Sequence, residues 1–222
     1  MSNASALAKA NIMQRLSAVS ALSPKPSAGS HQAWQSPSHE VCLTRFKQQL
    51  TNAHAEVISI PNVEQLTGSL IELAELHQWQ SAMLGTGGDW HQLFTQALTS
   101  RLKLSVFEQN FEQYKSDLFN NTSVSLTGCD AGIADTGTLV LKPSAEEPRS
   151  LSLLAPCHVA VINASQIVDN FALLMAQQQW HQGLPSNVVL ISGPSKTADI
   201  QQTLAYGAHG PSELIVIVIE GE

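Results

Sequence analysis

Apolar positions along the chain recur at two intervals, one near 3.6 and one of continuous or alternating runs, and their alternation reads as helices interleaved with strands. Leu7, Ile12, Leu16, Val19 and Leu22 recur at three- to five-residue spacing within residues 5–22, which predicts a short amphipathic helix. A helix of that length is marginal alone in water, so it is expected to dock on the body or on a partner. Pro24, Pro26 and Pro37 then punctuate a Ser-, Gly- and Gln-rich stretch, residues 23–38, that reads as a linker. From His39 the pattern predicts helices over 41–54, 63–77, 89–98 and 165–180, with a short helix from Ala198. It predicts strands over 56–60, 81–84, 102–107, 124–127, 138–141, 158–162, 188–192 and 214–219. Residues 111–119 read as helical or irregular.

Strands alternating with helices predict an α/β fold with a largely parallel sheet covered on both faces. NVVLIS and LIVIVI fit that burial because they are unbroken apolar runs. The expected organisation is an N-terminal helix and linker over 1–38 and one domain over 39–222. Composition agrees. Of 222 residues 43% are hydrophobic and 13% charged, against about 25% charged in an average globular chain, so a sizeable core is available. The net charge of −7, without clustered Lys or Arg, argues against nucleic acid. Cys42, Cys129 and Cys157 are odd in number and show no CxxC spacing, so neither a disulfide framework nor a thiolate metal site is indicated. A cluster held by the chain itself normally needs about four thiolates. Lys9 and Arg15 interrupt the first apolar residues, unlike a signal peptide, and the run 214–219 is far short of the ~20 residues that cross a bilayer. A cytoplasmic protein is expected.

In such folds ligands bind beyond the carboxyl ends of strands. Four segments read as strand exits: Gly85-Thr86-Gly87-Gly88-Asp89, residues 128–138, Pro156-Cys157-His158 and residues 192–199. In the last, Gly193-Pro194 ends a strand, and Ser195, Lys196 and Thr197 precede the expected helix. Its free amides, the lysine charge and the hydroxyls favour an anion, while simple capping by Ser195 or Thr197 is the alternative. It is not a Walker A loop, since Ser195 stands where GxxxxGK[ST] requires glycine. Asp130 and Asp135, set among glycines, can do acid–base or nucleophilic work if burial raises one of them. The alternative is a cap at Asp130 and a plain turn at Asp135-Thr136-Gly137. His158 and His209 are the histidines expected at these loops in the fold and can titrate near neutrality, although a histidine opening an apolar strand is often a core residue. No HxH or HxxxH spacing supports a metal. The GTGGD loop arises from turn geometry as readily as from phosphate binding.

GCDAGIADTGTLVL, RSLSLLAPCHVAVI and ISGPSKTADIQQTLAYGAHGPSEL, in that order, resemble the lactate utilization protein C family of the LUD-domain group. The resemblance implies a three-layer α/β/α fold with a mostly parallel sheet, similar to the NagB/RpiA/CoA-transferase-like architecture, for residues 39–222. It implies a role in oxidising L-lactate to pyruvate beside partner proteins that carry iron–sulfur clusters, this chain having no cofactor of its own. The candidate catalytic residues are then Asp135, His158 and Asp130. The candidate ligand-binding residues, for a small anionic metabolite, are Thr136, Gly137, Thr138, Gly193, Ser195, Lys196, Thr197, Asp199 and His209. The family usually carries glutamate at 135, arginine at 196 and glutamate at 201, where this chain has Asp135, Lys196 and Gln201. The alternative is a stand-alone enzyme acting on CoA esters or phosphosugars. Removal of residues 1–38 is expected to weaken complex formation and leave the body folded.

Overall fold

The computed structural model describes residues 3–18, 32–107, 121–198, 204–206 and 210–221, and the chain divides into two compact units, Met1–Gln32 and Ala33–Glu222. The first unit carries α1 (Asn3–Ala18), on which Leu7, Ile12, Met13 and Leu16 are all exposed. The five-residue step from Leu7 to Ile12 turns the helix by about 140°, so these side chains do not share the single face that the spacing suggested. Residues 33–38 belong to the second unit.

In that unit Ser38 caps α2 (His39–Asn52), its Oγ accepting the Val41 N–H, and Cys42, Phe46 and Leu50 fall four apart on one buried face. The chain continues through β1 (Glu56–Ile60), a 3-10 turn (Val63–Gln65), α3 (Leu66–Leu76), β2 (Ser81–Leu84), α4 (His91–Leu98) and β3 (Lys103–Val106). Beyond residue 120 come β4 (Val124–Gly128), β5 (Ala131–Ile133), β6 (Thr138–Leu141), α5 (Leu151–Leu154), β7 (Cys157–Asn163) and β8 (Ile167–Val168). α6 (Phe171–Gln177), β9 (Val189–Ile191), β10 (Lys196–Ala198), β11 (Leu204–Tyr206) and β12 (Glu213–Ile219) complete it.

Six strands pair in the order β1-β12-β7-β4-β2-β3, every pair parallel. Alternate side chains of β7 and β12 separate two cores. Val159, Val161, Ile215, Ile217 and Ile219 pack under α3 and α4. Ala160, Ile162, Leu214, Val216 and Val218 pack under α2 and a second sheet, β8-β5-β6-β9, whose far side is covered by Leu174 of α6. The unit is thus a three-layer α/β/α structure built on a mostly parallel sheet. Successive strands leave the middle of the main sheet in opposite directions: β2 proceeds outward to β3, and β4 proceeds the other way to β7. Their carboxyl ends flank a topological switch point, where ligands enter folds of this class.

Several expectations change. The helix expected over 165–180 begins only at Phe171, because Ile167 and Val168 pair with β5 and Asn170 caps the helix through the Leu173 N–H. The helix expected from Ala198 falls almost wholly on residues outside those described; Ala198 itself, with Lys196 and Thr197, pairs antiparallel with Leu204, Ala205 and Tyr206 as a strand. β5 and α5 were not anticipated; each is shorter than a reliable sequence pattern. The expected stretch 111–119 lies outside the described residues.

Candidate functional site

At the switch point the loop after β2 meets the turn after β4. Gly88 and Asp89 from the first, and Gly128, Cys129 and Asp130 from the second, line a polar crevice of about 220 Å³ closed by Lys142, Glu147 and Gln166. The loop geometry explains the placement. The Thr86 N–H donates to Glu146 O at 2.9 Å, and a Cβ on Gly85 would lie 2.1 Å from that same oxygen, so only glycine lets the two loops touch. Ser144 Oγ accepts the N–H groups of Glu146 and Glu147, turning the chain so that Glu147 points back over β4. There Glu147 Oε1 accepts the Gly128 N–H at 3.2 Å.

Burial pushes the Glu147 carboxyl up to about 7; the Gly128 N–H opposes this, and the charges of Asp89, Asp130 and Glu146 add to it. A carboxyl of this kind changes protonation near neutrality, as acid–base groups require. Asp130 is held differently: its Oδ2 accepts the Lys142 N–H at 2.7 Å, with Lys142 Nζ 3.7 Å from Oδ1. Gln166 donates to the Cys129 and Asp130 carbonyls and fixes the back wall. A smaller chamber of about 20 Å³ shares Gly128, Asp130, Lys142 and Glu147 with the crevice and adds Thr127, Arg149 and Ser152. The three thiols are free and buried. Burial and nearby carboxylates raise them, Cys42 to about 12 and Cys129 and Cys157 beyond that, so none is a ready nucleophile. Among the residues described, no group of three His, Cys, Asp or Glu side chains can hold a metal, and no helix is long and apolar enough to cross a membrane.

The sequence-predicted residues fall into separate surroundings. Asp130 lines the crevice. Asp135 lies in the turn between β5 and β6, where its Oδ1 accepts from Arg45 Nη2 at 2.8 Å, and that guanidinium lies 4.5 Å from the ring centre of Trp34. Thr136 and Thr138 join Ser192 in a chain of hydroxyls at 2.6 and 2.7 Å. Gly137 and Gly193 press on the end of α2, against Gln49 and Leu50 and against Ala53 respectively. His158 lies inside β7, fully buried, with Nε2 2.9 Å from Thr127 Oγ1. Pro156-Cys157-His158 therefore enters a strand rather than leaving one. The Ser195 N–H donates to Pro211 O just ahead of β12, at the amino edge of the main sheet, away from the crevice at its carboxyl edge. Lys196 and Thr197 lie in strand β10. Asp199, Gln201 and His209 lie outside the described residues. The structure thus joins Asp130 to the GTGGD loop, and it joins Thr136, Gly137, Thr138 and Gly193 along α2; the crevice includes neither Asp135 nor His158. Sequence reasoning missed Lys142, Glu147, Arg149 and Gln166. The available signal was the acidic pair Glu146-Glu147 ahead of Pro148, between two apolar runs.

The LUD domain family model matches residues 43–219. An uncharacterized protein of Neisseria meningitidis serogroup B is 41% identical over 150 residues, 67% of this chain and 64% of its own length. Lactate utilization protein C of Shouchella clausii is 27% identical across 82% of this chain and 81% of its own, and that of Anoxybacillus flavithermus 26% across 84% of each. The crystal structure of a DUF162 family protein from Deinococcus radiodurans shares the fold, with a TM-score of 0.62 at 20% identity over 82% of this chain and 98% of that one. With the fold, the sequence motifs and a match spanning most of its length in agreement, this chain belongs to the LUD domain family.

Proposed function

We propose that the chain serves in lactate utilization, binding a small hydroxy- or oxo-carboxylate in the crevice between the exits of β2 and β4. The names of its Shouchella and Anoxybacillus relatives support the process. The observation that carries the site is a carboxyl raised to about 7, Glu147, at the switch point of a parallel sheet. In this reading Lys142 on the crevice wall and Arg149 from the adjoining chamber balance the ligand's carboxylate, and Glu147 exchanges a proton with its hydroxyl or carbonyl oxygen. Protonated Glu147 also removes one of the negative charges that would repel an anion. The chain binds and orients the metabolite, and electrons pass to iron–sulfur clusters on partner proteins. At about 220 Å³ the crevice is smaller than the ~300–1,000 Å³ of sites for drug-sized ligands, which favours a three-carbon acid over a CoA ester.

Calorimetry with L-lactate and pyruvate tests the site. Binding is expected to be tighter at pH 6 than at pH 8, and Arg149→Ala to weaken it about tenfold, the loss of one charge-assisted hydrogen bond. Affinities that ignore pH, Glu147→Gln and Arg149→Ala alike would place the ligand elsewhere. Turnover of a CoA ester by the purified chain would favour the alternative enzyme. Unchanged growth on L-lactate after gene deletion, in a strain without a redundant lactate dehydrogenase, would remove the physiological role.

A further inference from the structure

Behind the crevice lies a buried polar pair that the proposed chemistry of Glu147 leaves unused. His158 is fully buried, and burial lowers its pKa to about 4, so its ring is neutral at physiological pH. Its Nε2 meets Thr127 Oγ1 at 2.9 Å, while Nδ1 is buried without a hydrogen-bond partner among the described residues. A neutral imidazole carries one N–H. If that hydrogen were on Nδ1 it would be an orphaned buried donor, a rarer and costlier situation than an unpaired acceptor. The hydrogen therefore belongs on Nε2, donating to Thr127 Oγ1. Thr127 then accepts from the histidine, and its own O–H is free to donate in another direction.

Thr127 lines the chamber of about 20 Å³ whose other walls include Glu147 and Ser152. That volume exceeds the ~10–15 Å³ that one water needs, and the walls supply the two or more polar partners that a buried water requires. We propose that Thr127, oriented by neutral His158, donates to a water in this chamber that in turn donates to Glu147, making Thr127 and His158 positioning residues for the crevice carboxyl. The inference rests on the reading of Glu147 as the acid–base group, but its test involves no ligand. The groups that face Glu147 are Asp89 from the loop after β2, Asp130 from the turn after β4, Glu146 beside it, Lys142 on the crevice wall and Arg149 on the wall of the smaller chamber. A donor reaching Glu147 through water favours its ionised form, so removal of that donor raises the carboxyl further.

Two measurements on the full chain decide it. Nitrogen-15 NMR of His158 is expected to show the Nε2–H tautomer. Carbon-13 NMR of the Glu147 carboxyl is expected to show its midpoint rising by about 0.5–1 on the pH scale in Thr127→Val, the effect of one lost hydrogen bond, and staying in place in Thr127→Ser. A protonated Nδ1, or equal midpoints in wild type and Thr127→Val, would overturn the relay. The tautomer needs no variant, so it stands even if the valine protein folds poorly. Loss of the relay with lactate binding intact would fault this inference alone, and an intact relay without lactate binding would fault the functional reading alone.

Discussion

At the scale of single residues, the same carboxyl that suits the crevice sets part of the pH dependence of stability. The folded-state value of Glu147, about 7, lies above its ordinary value of 4.5, so the native state holds this proton more tightly than the unfolded chain does. Its stabilising contribution is complete below about pH 4.5 and is lost as pH rises through 7. Melting curves of the wild type are expected to shift downward over that interval, and Glu147→Gln, which has nothing to titrate, to flatten this component. A Glu147→Gln protein with the full wild-type slope would show that the carboxyl is not raised. Asp135 belongs to a different task. Its partly exposed ion pair with Arg45, which stacks beneath Trp34, predicts that Asp135→Asn costs about 1 kcal/mol or less in denaturant unfolding and leaves binding in the crevice unchanged. Loss of binding at wild-type stability would return Asp135 to the site.

At the scale of elements, the turn between β5 and β6 is fitted to the end of α2. Gly137 has φ +59°, and a Cβ there would lie 2.5 Å from that of Gln49 and 2.7 Å from Leu50 N. Left-handed backbone strain and backbone overpacking act together, so Gly137→Ala is expected to destabilise the protein by about 2 kcal/mol or more, measured by urea unfolding. A neutral result would mean that α2 and the turn can separate freely. Short elements also explain where periodicity misled. Three residues of β5 and four of α5 carry too little pattern to recognise, and Ile167-Val168 continues an apolar pattern into the next helix while its backbone is taken by β5. What ended the predicted helix was a pairing partner more than thirty residues away, which no local window contains.

At the scale of the whole molecule, the division after Gln32 and the packing of residues 33–38 predict different outcomes for two truncations. Removing residues 1–32 leaves the second unit's contacts in place, and its melting temperature is expected to stay within about 2 °C of the full chain. Removing 1–38 also takes away Trp34, which packs in the α2 core and accepts from Asn170 through its carbonyl, the Ser36 N–H donated to Asp169, and the Ser38 cap. The loss of a cap and of partly buried apolar area is expected to lower the melting temperature by about 5–10 °C. Equal melting of the two truncated proteins, followed by calorimetry, would show that residues 33–38 do not hold to the body.

The amino-acid sequence by itself determined the α/β class, the central strands and the two long helices that cover them, because strands buried on both faces must be apolar throughout and a helix against a sheet must repeat its apolar face. It also supplied the GTGGD loop and Asp130, since glycines and a short acid at a strand exit are local features. Only the tertiary structure decided that Glu147 joins them, that Asp135 turns to Arg45, and that His158 lies behind Thr127 rather than in the open crevice. Proton affinity, ion pairing and pocket membership depend on burial and on neighbours brought together through space, and these are fixed only when the strands find their order in the sheet.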